Sequence, residues 1–190
     1  MTGLGTHCAL LVIDVQQGFN DPVWGARNNP SAEAKIARLL HAFRASGRTI
    51  LHVLHDSRLP DSPLRPGQSG NDPKPEAQPL PGEPIYRKQV NSAFIGTALE
   101  SDLRRDGIDT LVIVGLTTNH CVSTTTRMAG NLGFHTFLVH DGTATFDRAS
   151  LDGQNRPAAE VHAAALSDLS EEFATIVSTD DVLQQLAQRA

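Results

Sequence analysis

Three residues in the sequence carry side chains suited to nucleophilic and acid–base chemistry, and each lies at or just after the end of an apolar, strand-like segment. Asp14 ends the segment ALLVID, Lys88 ends PIYRK, and Cys121 follows TLVIVG across a short hydroxyl-rich turn. A thiolate can attack a carbonyl carbon, a carboxylate can move a proton, and an ammonium can stabilise a nearby anion. Each residue type also has an ordinary role, as a helix cap, a solvated cation or a small apolar group, so their placement in the fold decides between the two.

Apolar segments alternate with helical patterns along the chain, and both must be arranged before these side chains can meet. The strand-like segments are residues 9–14, 48–55, 84–88, 110–115, 135–141 and 174–179. The helical patterns cover residues 31–47, 97–107, 121–133, 157–169 and 180–189. Segments that are apolar on both faces are typical of parallel strands covered by helices. The alternation predicts a single α/β domain over residues 1–190, with a doubly wound, mostly parallel, Rossmann-like six-stranded sheet flanked by helices.

In a sheet of this kind, ligands bind beyond the carboxyl ends of the strands. That edge would carry Asp14, His55, Lys88 and Cys121, which supply an acid, an imidazole, a cation and a thiol. Cys121 also begins a predicted helix, where the helix dipole and the free N–H groups favour the thiolate. Cys8 precedes a strand instead, and we assign it no role in the chemistry.

The composition restricts the partners of the protein. The 190 residues carry a formal net charge of −5, with 39% hydrophobic and 19% charged residues. There is no basic excess that would attract nucleic acid or a membrane surface, and no apolar run approaches the roughly 20 residues of a membrane span. The amino-terminal sequence lacks the basic and apolar regions of an export signal, so we expect a cytoplasmic protein with reduced cysteines.

One segment, residues 57–84, interrupts the alternation of strands and helices. It contains eight of the eleven prolines and no aromatic residue. A connection of this length is either a functional loop or a disordered insert. Because it leaves the strand that carries His55 and returns just before Lys88, we expect it to fold over the site or to contact a neighbouring subunit.

Three blocks of sequence resemble the isochorismatase-like cysteine hydrolase superfamily, which includes nicotinamidases and N-carbamoylsarcosine amidase. The blocks are LLVIDVQQGF, KQVNSAFIGTAL and VIVGLTTNHCVSTTTRMAGNLGF, and the similarity runs from about Ala9 to Thr179. The resemblance implies the isochorismatase-like hydrolase fold, a homo-oligomer such as a dimer or tetramer, and a small-molecule substrate of the amide type.

The resemblance further implies a catalytic triad of Asp14, Lys88 and Cys121. It also implies a cis peptide bond between Leu116 and Thr117, which would aim the N–H groups of Thr117 and Cys121 into an oxyanion hole. The expected activity is metal-independent hydrolysis of a small amide, carbamoyl or lactam C–N bond through a thioester on the cysteine. The identity of the acyl group stays open at this point.

Aromatic and polar residues near these motifs are candidates for the substrate pocket. The alternative role of each is packing or hydrogen bonding inside the core. The candidates are Phe19, Trp24, Tyr86 and Phe94 as pocket walls, His55 and His120 as groups that orient substrate, and Asn119 and Thr118 as further polar contacts.

The histidine pattern argues against a metal. Nicotinamidases of this superfamily carry Asp-x-His after the second strand and further histidines downstream, whereas this chain reads HVLHDSRLP and has no further histidine before His120. Three nitrogen or oxygen ligands cannot be drawn from that stretch, so we predict no metal and no cofactor.

The same residues allow two other functions. An isochorismatase-type hydrolase would cleave a vinyl ether, which requires an acid but no nucleophilic thiol, so Cys121 argues against it. A catalytically silent scaffold subunit is the second alternative, and the intact set of acid, cation and thiol argues against that function. Release of ammonia would distinguish amide hydrolysis from both.

Overall fold

The strand-like segments of the sequence form one sheet in the computed structural model, which describes residues 3–188. Its strands are β1 (Cys8–Ile13), β2 (Thr49–His55), β3 (Ile85–Lys88), β4 (Thr110–Leu116), β5 (His135–Ala144) and β8 (Thr175–Val177), while β6 (Arg148–Ala149) and β7 (Asn155–Arg156) form a separate antiparallel hairpin. The order across the sheet is β3-β2-β1-β4-β5-β8, and every neighbouring pair is parallel. The central strands β1 and β4 are buried along their whole length, which explains their largely apolar sequences.

Five helices of the described residues cover the two faces of the sheet. They are α1 (Ala32–Ala45), α2 (Leu99–Arg105), α3 (Ser123–Asn131), α4 (Ala158–Leu169) and α5 (Thr179–Ala187). Successive side chains of β1 point to opposite faces, so Leu10 and Val12 pack in a core with α1 and α5, and Leu11 and Ile13 pack with α2, α3 and α4. No helix between residues 3 and 188 is long and apolar enough to cross a bilayer.

A glycine allows the two central strands to lie close together near their carboxyl ends. Gly115 has a φ of 130°, and a Cβ at this position would lie 2.0 Å from the carbonyl oxygen of Ile13. Only glycine fits such a conformation and such a contact. The close approach occurs directly before the segment that carries Cys121, so it contributes to the position of that segment beside the end of β1.

The six predicted strands and the flanking helices are confirmed, with boundaries that differ by a few residues. β5 continues to Ala144, beyond its predicted end at residue 141, and its pairing with β4 shifts register on the way. Nothing in the sequence predicts the hairpin of β6 and β7, because strands of two residues are too short for an alternating pattern. The predicted carboxyl-terminal helix corresponds to α5, and its last predicted residue, Arg189, lies outside the described residues.

The proline-rich segment, residues 57–84, is an ordered loop. It contains two short 3₁₀ turns, Ser69–Asn71 and Pro75–Ala77. Gly70 approaches Pro63 so closely that a Cβ would lie 2.1 Å from the Pro63 carbonyl oxygen. The loop therefore packs tightly on itself, and the alternative of a disordered insert is wrong.

Asn71 connects this loop to the end of β2. Its buried Nδ2 donates to the carbonyl oxygens of His55 and Leu64 at 2.9 Å each, and its Oδ1 accepts a hydrogen bond from Arg87 at 3.0 Å. We expect Asn71→Ala to lower the free energy of unfolding by about 2–4 kcal/mol, because buried carbonyl oxygens lose a donor. Urea unfolding measures the change, with Gln68→Ala in the exposed part of the loop as the control. An unchanged midpoint in Asn71→Ala would contradict this anchoring role.

Candidate active site

The ends of four adjacent strands bring the chemically active side chains to one edge of the sheet. Asp14 directly follows β1, Cys121 follows β4, and Lys88 ends β3, while His55 ends the intervening strand β2. The boundary between β1 and β4 is also where the strand order reverses, because the chain continues from β1 toward β3 and from β4 toward β8. Ligand sites in open α/β sheets lie at such reversal points.

Asp14 and Lys88 form a fully buried ion pair. Lys88 Nζ lies 2.6 Å from Asp14 Oδ2, and both side chains have 0% of their surface exposed. Asp14 has a φ of 51°, a left-handed conformation that aspartate tolerates better than most residues and that turns the chain as β1 ends. The pairing keeps both charges at a depth where either charge alone would be strongly destabilising.

The imidazole of His55 contacts the same ammonium. Its Nδ1 lies 3.2 Å from Lys88 Nζ, and burial together with the charge of Lys88 lowers the pKa of His55, so the neutral ring accepts a hydrogen bond. Gln16 holds the backbone of His55, since its Oε1 accepts from the His55 N–H at 2.8 Å and its Nε2 donates to the His55 carbonyl at 3.1 Å. Sequence reasoning does not identify Gln16. Its position two residues after Asp14 is the only indication in the sequence that it belongs to the site. The pairing of β1 with β2, the strand that ends in His55, explains why this position matters.

Cys121 lies in a π-helical turn, Thr118–Val122, that leads from β4 into α3. One ligand atom from each of Cys121, Asp14 and His55 lies within 4.8 Å of the other two. Asp14 Oδ1 is buried and has no hydrogen-bond partner within residues 3–188. The thiol is therefore close to a carboxylate group whose second oxygen is available to accept its proton.

The surroundings of Cys121 keep the thiol protonated at rest. Burial and the neighbouring Asp14 carboxylate raise the pKa of Cys121 to about 12, and the opposing effect of Lys88 is smaller. The expectation that a helix end favours the thiolate is therefore wrong, because burial and the Asp14 carboxylate raise the pKa of the thiol and Cys121 lies within the π-helical turn. The proton must leave as the sulfur attacks, and the Asp14 carboxylate, within 4.8 Å, is positioned to accept it.

The contribution of Lys88 to the thiol can be measured by alkylation. We expect Lys88→Met to raise the pKa of Cys121 further, because the one cation that lowers it is removed. The rate of alkylation by iodoacetamide near neutral pH should fall by about ten- to a thousandfold, and the pH–rate profile of turnover should move to higher pH. Lys35→Met, at a partly exposed lysine of α1, is the matched control. Equal alkylation rates in folded Lys88→Met and wild-type protein would contradict this role.

The peptide bond between Leu116 and Thr117 is cis, at the position that the resemblance implies. The carbonyl oxygen of Thr117 accepts hydrogen bonds from the N–H groups of His120 and Val122, at 3.1 and 3.3 Å, and these bonds close the turn that carries Cys121. Thr117 is buried beside this turn. An oxyanion hole formed by the Thr117 and Cys121 N–H groups stays a prediction.

A cavity of about 280 Å³ opens beside the turn. Its walls include Trp24, Thr117, His120, Thr145, Phe146 and Arg148. Phe19 packs against two of these rings, with centroids 5.2 Å from Trp24 and 6.1 Å from Phe146, and Leu64 of the proline-rich loop belongs to the same apolar cluster. The structure thus brings the pocket candidates Phe19, Trp24 and His120 to this cavity or its supporting cluster.

Tyr86 and Phe94 pack in the core instead, contrary to expectation. The Tyr86 hydroxyl donates to Asp102 Oδ2 in α2 at 2.8 Å, and Tyr86 lies two residues, about 7 Å, before the end of β3. The ring of Phe94 stacks on Phe134 at 6.0 Å, and Phe134 precedes β5 at the opposite end of the strands from the site. Both side chains belong to the apolar core on the α2 face of the sheet.

The remaining polar candidates, Asn119 and Thr118, are held by hydrogen bonds inside the fold. Asn119 Oδ1 accepts from the hydroxyl of Thr145 at 2.5 Å, and the Thr118 hydroxyl lies 2.8 Å from His162 Nδ1. Asn119 also lines a second, outer cavity of about 440 Å³. These hydrogen bonds position the turn that contains Cys121.

Asp14, His55 and Cys121 are also the one group of three potential metal ligands within residues 3–188. The sequence argues against a metal site only within the stretch that follows β2. Asp14, His55 and Cys121 come instead from the ends of three different strands. The ammonium of Lys88 already contacts two of the three, so a dication would meet a buried positive charge. The position of Lys88 therefore disfavours a metal at this site.

Comparisons with known proteins agree with the fold and identify the family. The isochorismatase domain model matches residues 8–181. The chain is 46% identical over 175 residues to the isochorismatase family protein YrdC of Bacillus subtilis, an alignment that covers 92% of this chain and 94% of the relative. It is 28% identical over 204 residues to maleamate amidohydrolase of Pseudomonas putida, covering 99% of this chain and 91% of that enzyme. The crystal structure of an isochorismatase-family protein from Chromobacterium violaceum is similar with a TM-score of 0.94 and 47% identity, covering 97% of this chain and 95% of that one. The chain therefore belongs to the isochorismatase family of hydrolases.

Proposed function

We propose that the protein is a cysteine amidohydrolase that cleaves the C–N bond of a small amide, carbamoyl or lactam substrate without a metal. The observation that carries the proposal is the arrangement around Asp14. Its Oδ2 binds Lys88 at 2.6 Å, its Oδ1 has no partner within residues 3–188, and the carboxylate and the Cys121 sulfur lie within 4.8 Å of each other. Such a carboxylate can take one proton and return it. The similarity to maleamate amidohydrolase supports the same class of reaction.

In the first half-reaction, the Cys121 thiol gives its proton to Asp14 as the sulfur attacks the carbonyl carbon. The electron pair of the C=O bond moves to oxygen, and the N–H groups of Thr117 and Cys121 stabilise this oxyanion. Collapse of the tetrahedral intermediate breaks the C–N bond, and Asp14 passes the proton to the departing nitrogen. Ammonia or an amine leaves, and the acyl group remains on the sulfur as a thioester.

Water completes the reaction. Asp14, ionised again, removes a proton from water as the water oxygen attacks the thioester carbon. The C–S bond breaks, and the sulfur receives the proton from Asp14. Lys88 contacts Asp14 Oδ2 and stabilises the negative charge that the carboxylate carries before and after each proton transfer. The sum for a primary amide is amide plus water giving a carboxylic acid plus ammonia.

Neither of the two alternative functions requires all three of Asp14, Lys88 and Cys121. Vinyl-ether hydrolysis requires a proton donor, and it leaves the nearby Cys121 thiol without a role. A silent scaffold would retain a fully buried Asp14–Lys88 pair next to a thiol, although well-packed apolar residues stabilise a core at least as well as such a pair.

An assay that measures ammonia released from small amides and ureides, and the ring-opened amino acid formed from lactams, tests the proposed function. We expect at least one amide or ureide to release ammonia, or at least one lactam to give its amino acid. Turnover of a vinyl ether with no ammonia from any amide would favour the isochorismatase-type reaction. Folded protein that turns over neither class would favour the scaffold.

Metal independence gives a separate expected result. Because the Lys88 ammonium contacts two of the three potential ligands, dialysis against EDTA should leave the rate of ammonia release unchanged. The control is the same protein dialysed without chelator and assayed with and without added zinc. Loss of activity after EDTA that zinc or iron restores would contradict the absence of a metal.

A further inference from the structure

A cluster of buried charged side chains lies at the start of α1, outside the candidate active site. Lys74 of the proline-rich loop is 4% exposed, and its Nζ lies 2.6 Å from Glu33 Oε1. Arg27 binds both oxygens of the same carboxylate, from Nη1 to Oε1 and from Nη2 to Oε2, at 2.7 Å each. Burial raises the pKa of Glu33, but the hydrogen bonds from Arg27 and Lys74 outweigh burial and lower that pKa to about 2. The Glu33 carboxylate is therefore ionised near neutral pH and is shared by two cations.

The ammonium of Lys74 also contacts a segment that carries two aromatic residues. It donates a hydrogen bond to Asn20 Oδ1 at 2.7 Å. Asn20 directly follows Phe19, and Trp24 lies four residues further along the chain. We call residues 17–27 the aromatic segment. The Lys74 ammonium therefore connects the aromatic segment to the start of α1 through a single nitrogen atom.

The aromatic segment forms part of the wall of the candidate substrate cavity. Trp24 lines the cavity of about 280 Å³ beside the turn that carries Cys121, and the ring of Phe19 packs on Trp24 at 5.2 Å. At the end of the segment, the backbone of Arg27 pairs with that of Phe146, another residue of this wall. The regular structure of the segment consists of two short 3₁₀ turns, so its shape depends on contacts with neighbouring elements.

The buried charges supply directional contacts at this point of the fold. Burying two cations and one carboxylate removes most of their hydration, and well-packed apolar residues would stabilise a core at least as well. An apolar contact, however, does not fix the distance and the angle between two groups as a hydrogen bond does. The Lys74 ammonium holds the side chains of Asn20 and Glu33 at hydrogen-bonding distance from itself. The cluster therefore fixes the geometry of the aromatic segment more than it adds to stability.

We propose that Lys74 is a positioning residue that holds the aromatic segment in the shape that binds substrate. The inference rests on the proposed function for the chemistry at Cys121 and adds a determinant of substrate affinity. Without Lys74, the segment would exchange between the observed shape and others, and only the fraction in the observed shape would bind tightly. Affinity is thus controlled from the proline-rich loop, although Lys74 itself lies outside the cavity wall.

Lys74→Met tests the proposal, because it removes one cation and leaves the neutral, two-point pair of Arg27 with Glu33 in place. We expect KM for the best substrate of the amide screen to rise about tenfold, with kcat near its wild-type value. Lys35→Met, the same replacement at a partly exposed lysine of α1, is the matched control and should change neither constant. A fall in kcat at unchanged KM in Lys74→Met would overturn the positioning role.

Asn20→Ala removes only the contact between the cluster and the aromatic segment. It leaves every charge of the cluster in place, so the variant should fold even if Lys74→Met does not. KM should rise by a factor similar to that in Lys74→Met, and the double variant should show no further rise, because both changes break the same contact. Rises in KM that multiply in the double variant would show that the two residues act independently, which contradicts the proposal.

Fluorescence reports the shape of the aromatic segment without catalysis, because Trp24 is the single tryptophan of the chain. Acrylamide should quench Trp24 with a larger quenching constant in Lys74→Met and in Asn20→Ala than in the wild type. Ile36→Val shortens a buried side chain of α1 and keeps every hydrogen bond of the cluster, so it lowers stability and should leave the quenching unchanged. Equal quenching in the wild type and in Asn20→Ala would reject the ordering of the segment by Lys74.

The two readouts separate this inference from the proposed function. Stronger quenching in Lys74→Met, with no substrate of any class hydrolysed by the wild type, would keep the connection between Lys74 and the aromatic segment and reject the hydrolase. Hydrolysis with unchanged KM and unchanged quenching in Lys74→Met would reject the positioning role and leave the hydrolase standing. Stronger quenching at unchanged KM would show that the shape of the segment does not control affinity, and it would overturn the role of Lys74 in binding.

Discussion

Cys121→Ala is expected to reduce amide hydrolysis by at least about 10⁴-fold, because the variant lacks the thiol that forms the acyl intermediate beside Asp14 in the proposed mechanism. The side chain is small and half-buried in the π-helical turn, so its truncation removes little packing. The variant should therefore keep the far-UV circular dichroism and the unfolding transition of the wild-type protein. Ammonia release with the best substrate of the amide screen measures the loss.

Cys8→Ala provides the matched control for the thiol. Cys8 begins β1, at the opposite end of that strand from Asp14, and burial raises its pKa to about 12. Its removal should leave kcat and KM near their wild-type values. Activity that survives in Cys121→Ala and is lost in Cys8→Ala would identify Cys8 as the nucleophile, at the end of β1 opposite Asp14. That result would contradict the proposed mechanism.

Asp14→Asn should lower kcat by about 10²–10⁴-fold, the range for a positioned general acid–base. Asparagine tolerates the left-handed φ of 51° and keeps an oxygen for Lys88, so the turn after β1 should persist. The same variant should alkylate faster at neutral pH than the wild type. The Asp14 carboxylate raises the pKa of Cys121 and Lys88 lowers it, so removal of the carboxylate lowers the pKa and increases the thiolate fraction.

This pair of opposite effects distinguishes a base from a structural residue. Asp72→Asn, at an exposed position of the proline-rich loop, removes the same charge without touching the site and should change neither rate. A parallel loss of turnover and of alkylation in Asp14→Asn would instead indicate that Asp14 only maintains the shape of the site. Iodoacetamide kinetics and ammonia release on the same preparations give both readouts.

Much of the fold follows from local sequence patterns. β1 and β4 are predicted because a strand buried on both faces must be apolar throughout, and the ends of α1 and α3 are marked by Gly47 and Gly133, which adopt positive φ. Once the strands are parallel, Asp14, Lys88 and Cys121 must share one edge. The convergence of the candidate site therefore depends on the order of elements more than on any single motif.

Side-chain contacts across the sheet are not contained in local patterns. Tyr86 and Phe94 lie close to Lys88 in the sequence, yet the Tyr86 hydroxyl binds Asp102 of α2 and the Phe94 ring stacks on Phe134. Gln16 and Asn71 each bind the backbone of His55 from distant parts of the chain.

The resting state of the thiol is likewise a product of tertiary structure. A cysteine near a helix start and a lysine suggests a thiolate, whereas burial next to the Asp14 carboxylate reverses the balance in favour of the thiol. The direction in which the pKa of Cys121 is shifted can be stated only when the positions of Cys121, Asp14 and Lys88 are all known. Sequence patterns also fail to predict the hairpin that carries Arg148, because each of its strands contains only two residues.

Mass spectrometry can detect the acyl intermediate on Cys121 itself. Protein mixed with a slowly hydrolysed amide, quenched in acid and digested, should carry the acyl mass on the peptide that contains Cys121. The adduct should disappear at the rate of the second half-reaction and should be absent in Cys121→Ala. An adduct found on the Cys8 peptide alone, or steady turnover with no adduct under conditions in which deacylation is rate-limiting, would contradict nucleophilic catalysis by Cys121.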